Sequence, residues 1–397
     1  MRENMKSAKL KNMFYRLYKR KFSVLKSGQF ARIVAAGLVL AAAIFVSFAS
    51  AQTNRPNDPL FTAAENVEIK MITSSMLMAV AKAGNRLVAV GERGHIIVSD
   101  DHGENWRQVP CPVSVTLTSI CFPSPEKGWV TGFEGVILGT CDRGETWTRQ
   151  TDRTSLNREI VQWLIKKQQA KAEKGKEAAF AISPEDLQYS LDDWKKYLDG
   201  QSCPPFMDIW FKDDRQGIAV GAFGLAVGTF DGGKTWNPML QINANPMNYH
   251  YYKLACHKDR LFLAGESGLL LGSGDWGKSW QPLSVPYDGS FFGVCAGENL
   301  NTIVAYGLRG TIIVSADGGR TWRQVPQSLT GSLCGSCLAS DGNFWLTGPL
   351  GQIVKVDGQN AGVTALAENI SGAVDLVESN PGQFTIVGIN GLKQIVY

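Results

Sequence analysis

Two short patterns recur along this chain at a nearly constant interval, and that repetition restricts the fold more than any other feature. The first, Ser/Thr-x-Asp-x-Gly-x-x-Trp, occurs at Ser99/Asp101/Gly103/Trp106, Thr140/Asp142/Gly144/Trp147, Thr229/Asp231/Gly233/Trp236, Ser273/Asp275/Gly277/Trp280 and Ser315/Asp317/Gly319/Trp322. Its aspartates stand 41, 89, 44 and 42 residues apart. The long interval is one period plus an insertion of about 47 residues. The second pattern, Gly-x-x-Gly ahead of a short apolar run, begins at Gly91, Gly132, Gly221, Gly265, Gly307, Gly348 and Gly388.

Within a period the apolar runs predict four short strands. In the second period they fall at Leu117–Phe122, Gly128–Thr131, Val136–Thr140 and Trp147–Gln150, divided by turn-forming residues. Four strands in about 42 residues is the unit of a propeller blade, and seven units close a ring. The expected fold is all-β: a seven-bladed β-propeller of four-stranded blades with a helical insertion between blades two and three. Blades one and two occupy residues 52–151, the insertion 152–204, and blades three to seven 205–397. Only Leu392–Tyr397 follow the last Gly-x-x-Gly, so the seventh blade is expected to lack its outer strand. The segment near Asn66–Ile72 is expected to supply it and so remove an exposed sheet edge.

Charge divides the chain in two. Ten of its 40 basic residues and one of its 36 acidic residues lie in residues 1–51, which leaves 30 against 35 in the rest. A mildly acidic body gives no electrostatic reason to bind a polyanion, so a nucleic-acid partner is not expected. The basic start runs into an apolar stretch from Ile33 to Ser50, then Ala49-Ser50-Ala51. Basic flank, apolar stretch and small-x-small site read as a signal peptide cleaved after Ala51, or as an uncleaved signal anchor. Either predicts an exported protein, in the periplasm or anchored facing it.

In each Ser/Thr-x-Asp-x-Gly-x-x-Trp unit the hydroxyl and carboxylate suit local backbone hydrogen bonds, the glycine a positive φ, and the tryptophan a place between sheets. Asp101, Asp142, Asp231, Asp275 and Asp317, with Trp106, Trp147, Trp236, Trp280 and Trp322, are therefore read as structural. These units resemble Asp-box, or bacterial neuraminidase, repeats. Joined to Gly-x-x-Gly and an apolar strand, as from Gly132-Phe133-Glu134-Gly135 to Thr140–Trp147, they resemble the photosystem II stability/assembly factor propellers. The resemblance covers residues 60–397 outside the insertion. It implies a non-enzymatic factor in photosynthesis-related assembly whose partners are subunits or assembly intermediates of a membrane protein complex.

Asp boxes also occur in sialidases and other glycoside hydrolases, so a glycan-binding or sialidase-like propeller is the alternative. Such chemistry needs paired carboxylates, or a nucleophile with arginines gripping a carboxylate. The Arg-Ile pair a sialidase carries at its propeller start occurs here only at Arg32-Ile33, inside the leader. No Gly-x-Ser-x-Gly, His-Glu-x-x-His, phosphate-binding or dinucleotide motif occurs, and His95, His102, His250 and His257 form no ligand pattern. Catalytic residues, a metal and a cofactor are not expected. A further alternative is an accessory protein of an envelope transport system.

Eight cysteines invite a disulfide framework in an exported chain. Cys121, Cys256, Cys295 and Cys337 share one position in the first strand of their blades and read as small packed residues. Cys334-x-x-Cys337 is a weak metal or redox signal on a strand. Cys111-Pro112 and Cys203-Pro204 flank blade two, where a bridge between them is one option.

Alternating strand directions put the insertion on the same face as the Gly-x-x-Gly turns. Ser183-Pro184 predicts a helix start, Gly200 a stop, and Leu187, Leu191, Trp194 and Leu198 an apolar stripe. An earlier helix near Leu156–Ala181 carries Ile160, Trp163 and Leu164, then Lys166, Lys167, Lys171, Lys174 and Lys176. The pair either packs on the propeller rim or docks a partner, with the lysines against a membrane surface. Glu92, Arg93, Phe133, Glu134, Phe223, Glu266 and Arg309, with Trp194, are the expected partner-binding residues. Their mixture of aromatics and both charges suits protein recognition.

Overall fold

Apolar alternation interrupted by glycine turns gives short antiparallel strands, and the computed structural model arranges them as seven sheets. It describes residues 58–174, 184–200, 202–240, 244–297, 301–366 and 370–397. The expected signal segment, residues 1–51, lies outside them. Strands fall within residues 77–108, 117–151, 206–238, 251–282, 291–324, 335–366 and 373–396, one blade each. The first strand of each blade packs on that of the next, and the last on the first. These seven first strands form the inner wall of the ring.

The Gly-x-x-Gly repeat has one backbone cause. A Cβ on Gly91 would stand 2.2 Å from the Met76 carbonyl oxygen, and one on Gly307 2.1 Å from that of Ser290. The next residue's N–H donates to the same oxygen, at 3.0 Å from both Glu92 and Leu308. The second glycine takes a left-handed φ, +72° at Gly94 and +70° at Gly310.

The Ser/Thr-x-Asp-x-Gly-x-x-Trp turns are equally local. Ser273 Oγ donates to Asp275 Oδ1 at 2.8 Å and accepts the Gly277 N–H at 2.8 Å, while the Ser279 N–H donates to Asp275 Oδ1 at 2.9 Å. The same bonds recur around Asp101, Asp142, Asp231 and Asp317. The Asn105 backbone and side-chain N–H groups hold the Asp101 carboxyl down at about 2. Each tryptophan then wedges against the preceding blade: Trp147 beside Val88, Trp236 beside Trp129, Trp280 beside Ile218, Trp322 on Phe262 and Trp106 beside Val387. Trp106, Trp147 and Trp280 donate Nε1–H to the glycine carbonyl of their own turn, at 2.9–3.1 Å. Ser273→Ala is expected to lower stability by about 1 kcal/mol in urea unfolding and to leave partner capture unchanged. Capture lost at unchanged stability would give the turn a binding role instead.

The ring closes differently from the sequence expectation. Residues Ile69–Ile72 form a single helical turn (α1), and the seventh sheet has three strands. The Ser74 hydroxyl bonds back to the Lys70 carbonyl at 2.8 Å, and Ile72 is fully buried with Leu77 and Val387. Packing, with the Val80 N–H donating to Asp375 Oδ2 at 3.2 Å, holds blade seven to blade one. At the outer edge the Leu392 N–H donates to the Thr73 carbonyl at 2.9 Å, so α1 covers the start of the last strand.

All eight cysteines are free thiols. The bridge considered between Cys111 and Cys203 is not formed, because the two lie on opposite sides of blade two. Cys111 is in the core between blades one and two, Cys203 in the core shared by blade two, the insertion and blade three. Burial pushes the Cys111 thiol up to about 12 and the Cys121 and Cys295 thiols to about 11, which leaves them poor nucleophiles.

The insertion comprises two helices, α2 (Arg153–Lys174) and α3 (Pro184–Asp199). Asp152 caps α2, accepting the Thr154 and Ser155 N–H groups at 2.9 and 3.1 Å. Leu156, Ile160, Leu164, Leu187, Leu191 and Trp194 share one core with Trp129, Phe206, Phe211, Leu225 and Leu240 of blades two and three. Ser183, Lys176 and the side chains of Lys171 and Lys174 lie outside the described residues.

Candidate functional site

Each Gly-x-x-Gly turn projects its two central residues from one face of the ring. The second of the pair takes a left-handed φ in five blades: Arg93, Glu134, Phe223, Ser267 and Arg309, at +54° to +58°. This geometry pushes the side chain outward. Arg93 and Arg309 are exposed, and neither guanidinium pairs with a carboxylate among the described residues. Glu92 accepts the Met76 N–H at 3.2 Å, and Phe133 is half-buried in the core of blades one and two. Glu134 is engaged by the insertion, 3.2 Å from Arg153 Nη1, while Arg153 also pairs with Asp58. That arginine, buried at the start of α2, fixes the insertion on the turn face.

Phe223 is 39% exposed, and its ring meets His250 edge-on at 4.7 Å. His250 Nδ1 accepts the Phe223 N–H at 2.9 Å, and burial keeps this imidazole below its ordinary range and therefore neutral. Tyr252 stands 6.2 Å from His250, and Phe292 5.3 Å from Tyr252. An aromatic ladder thus runs from the blade-three turn across blade four to blade five. Glu266 accepts the His250 N–H at 3.2 Å beside it. Exposed Leu350 and Ile389 add apolar side chains at the turns of blades six and seven.

At the other end of the ladder α3 leans over the blade-three turn and leaves a cavity of about 220 Å³. Its walls are Ser190, Asp193, Trp194 and Tyr197 of α3, Phe223 and Gly224 of the turn, and Leu240, Asn245, Met247, Asn248 and Tyr251. Trp194 is only 5% exposed, so it serves as a wall of the insertion core and borders this cavity. Of the expected residues, Phe223 and Trp194 meet at this cavity, and Glu266 is joined to Phe223 through His250.

The family model for photosynthesis system II assembly factor YCF48 matches residues 188–353, from α3 into blade six. That match covers the middle of the chain, less than half of its length. A stretch of 47 residues is 45% identical to the chloroplastic photosystem II stability/assembly factor HCF136 of Cyanidioschyzon merolae, which is 11% of either protein. The solved structure of YCF48 bound to D1 peptide shares 13% identity and superposes with a TM-score of 0.54, covering 88% of this chain and 100% of that one. YCF48 from Cyanidioschyzon merolae gives 13% identity and 0.55, covering 82% and 96%. At that identity the superpositions show the propeller fold.

One cluster in this propeller escaped the sequence reading. At the position paired with the residue before each first glycine, the inner wall carries Ala79, Ser119, Asp208, Lys253, Gly293, Gly335 and Asp375. Lys253 Nζ lies 3.2 Å from Asp208 Oδ1, and Asp208 also accepts the Ser119 hydroxyl at 2.7 Å and the Leu254 N–H at 2.8 Å. Burial pushes Asp375 up to about 6 against the pull of Lys253. Aligning the repeats on the first strand reveals these charges as departures from a small-residue position.

Proposed function

We propose that this chain is a non-enzymatic, exported assembly or stability factor that binds subunits or intermediates of a membrane protein complex, photosystem II-like by family. Its place is the periplasm or the outer face of the membrane. The observation that carries this reading is the turn face: left-handed turns present Arg93, Arg309 and Phe223 outward around one ring. Aromatic anchors set among charges of both signs are the composition of a protein-recognition surface. The relationship to YCF48, solved with a D1 peptide, supports a membrane-protein segment as the partner class. Lys166 and Lys167 on α2 give the insertion a basic flank toward anionic lipid headgroups.

The test is affinity capture of crosslinked complexes from the native membranes with the tagged full chain. Arg93→Glu/Arg309→Glu is expected to cut recovery about tenfold, because like charges then face each other across the contact. Unchanged recovery places the contact elsewhere on the molecule. No complex recovered by the parent chain removes the reading.

A further inference from the structure

The cavity between α3 and the blade-three turn has an unusual wall. Trp194, Tyr197, Phe223 and Tyr251 supply four aromatic side chains, and among the described residues Asp193 is the one charged residue lining it. Its volume of about 220 Å³ falls below the roughly 300–1,000 Å³ of small-molecule sites and suits one side chain. Asp193 is 56% exposed and, among the described residues, its ion pair is with Lys196 of its own helix, at 2.8 Å. An exposed pair of that kind is weak and exchangeable. The helix around it adds Glu185, Asp186, Asp192 and Asp199 against Lys195 and Lys196. Aromatic walls attract a cation through their ring quadrupoles, and a carboxylate at the mouth favours the same charge.

We infer that this cavity receives one lysine or arginine side chain from an extended segment of the protein partner. The inference rests on the protein-binding reading of the turn face and adds the chemistry of one contact. The ammonium or guanidinium sits among the rings with Asp193 at its edge, while the partner's backbone continues along the ladder from Phe223 to Phe292. Glu266 beside His250 extends the acidic character in that direction.

The experiment uses the full chain and four fluorescein-labelled decapeptides of one Gly/Ser/Tyr background. They differ only at a central residue: Lys, Arg, norleucine or Glu. Norleucine keeps the aliphatic stem of lysine without its charge. Fluorescence anisotropy is expected to show Lys and Arg bound about fivefold more tightly than norleucine, and Glu most weakly. Asp193→Asn and Phe223→Asn are expected to bring the Lys-to-norleucine ratio close to one; asparagine suits the left-handed φ at 223. Norleucine binding as tightly as Lys, a ratio unchanged in both variants, or no binding of any peptide overturns the inference. Membrane-complex capture by the parent chain alongside such a result confines the failure to this cavity.

Discussion

Lys253→Met is expected to destabilise the propeller by about 3 kcal/mol at pH 8, the lower end for breaking a buried pair, since Lys253 is itself one-third accessible. The substitution leaves Asp208, 2% exposed, with only its Ser119 and Leu254 donors, and takes from Asp375 its compensating cation. Cys295, Cys334, Cys337 and Tyr306 surround Asp375 and supply no positive charge. The loss is pH-dependent with a definite sign. Asp375 titrates at about 6 when folded and at about 3.9 when unfolded. Its contribution is therefore fully present below about pH 4 and withdrawn as pH rises through 6. Without Lys253 the folded value climbs further, so the damage is smaller at pH 5 than at pH 8. Urea midpoints of both proteins at the two pH values measure this. A penalty equal at both would show that Asp375 takes no part. The aspartates of the repeated turns run the other way: Asp101, held at about 2, gives up its stabilisation as pH falls below about 4.

Trp194→Ala is expected to cost about 3–5 kcal/mol and to shift one cooperative transition. The reason is that α2 and α3 share their core with blades two and three: Trp194, Leu191 and Ile160 lie in the same cluster as Phe206, Phe211 and Leu225. Trp129 and Phe211 stack at 3.6 Å within it, binding blade two to blade three beneath the helices. Denaturation followed by far-UV circular dichroism and tryptophan fluorescence should give coincident curves for parent and variant. Two separated transitions would show an insertion that docks on a finished ring. Removing both helices uncovers the same apolar surface, so point substitutions on the turn face are the cleaner probe of binding.

The ring was legible because its determinants are local. A backbone oxygen pressed against Gly91 or Gly307, and a hydroxyl bonded to an aspartate two residues on, repeat with the sequence period. The closure was not. Val67, Ile69 and Met71 alternate as a strand would, yet Met71 is 63% exposed and Ile72 is fully buried in a helical turn. Alternation describes one segment and says nothing of whether a neighbouring edge will accept it. The α3 cavity was hidden for a related reason: it joins Trp194, Phe223 and Met247, residues far apart in sequence, through the seating of α2 by Arg153. Arg93, Phe223 and Arg309 were readable as exposed because the turn itself fixes their outward direction. The inner-wall charges required comparing repeats strand by strand.

Every strand in the described ring pairs with a neighbour in its own blade, so nearly all hydrogen-bonded order is built over short sequence distances. The single distant event is the meeting of the strands at 77–83 and 373–380, nearly the whole propeller apart in sequence. Closing that loop costs entropy that grows only slowly with length, and here a finished blade arrives rather than a lone strand. The chain can therefore mature as a row of completed units that grows from its first blade, with its two ends clasped last. The seam, held by packed side chains, the Asp375 carboxylate and the Leu392–Thr73 backbone bond, is where the ring would yield first under strain.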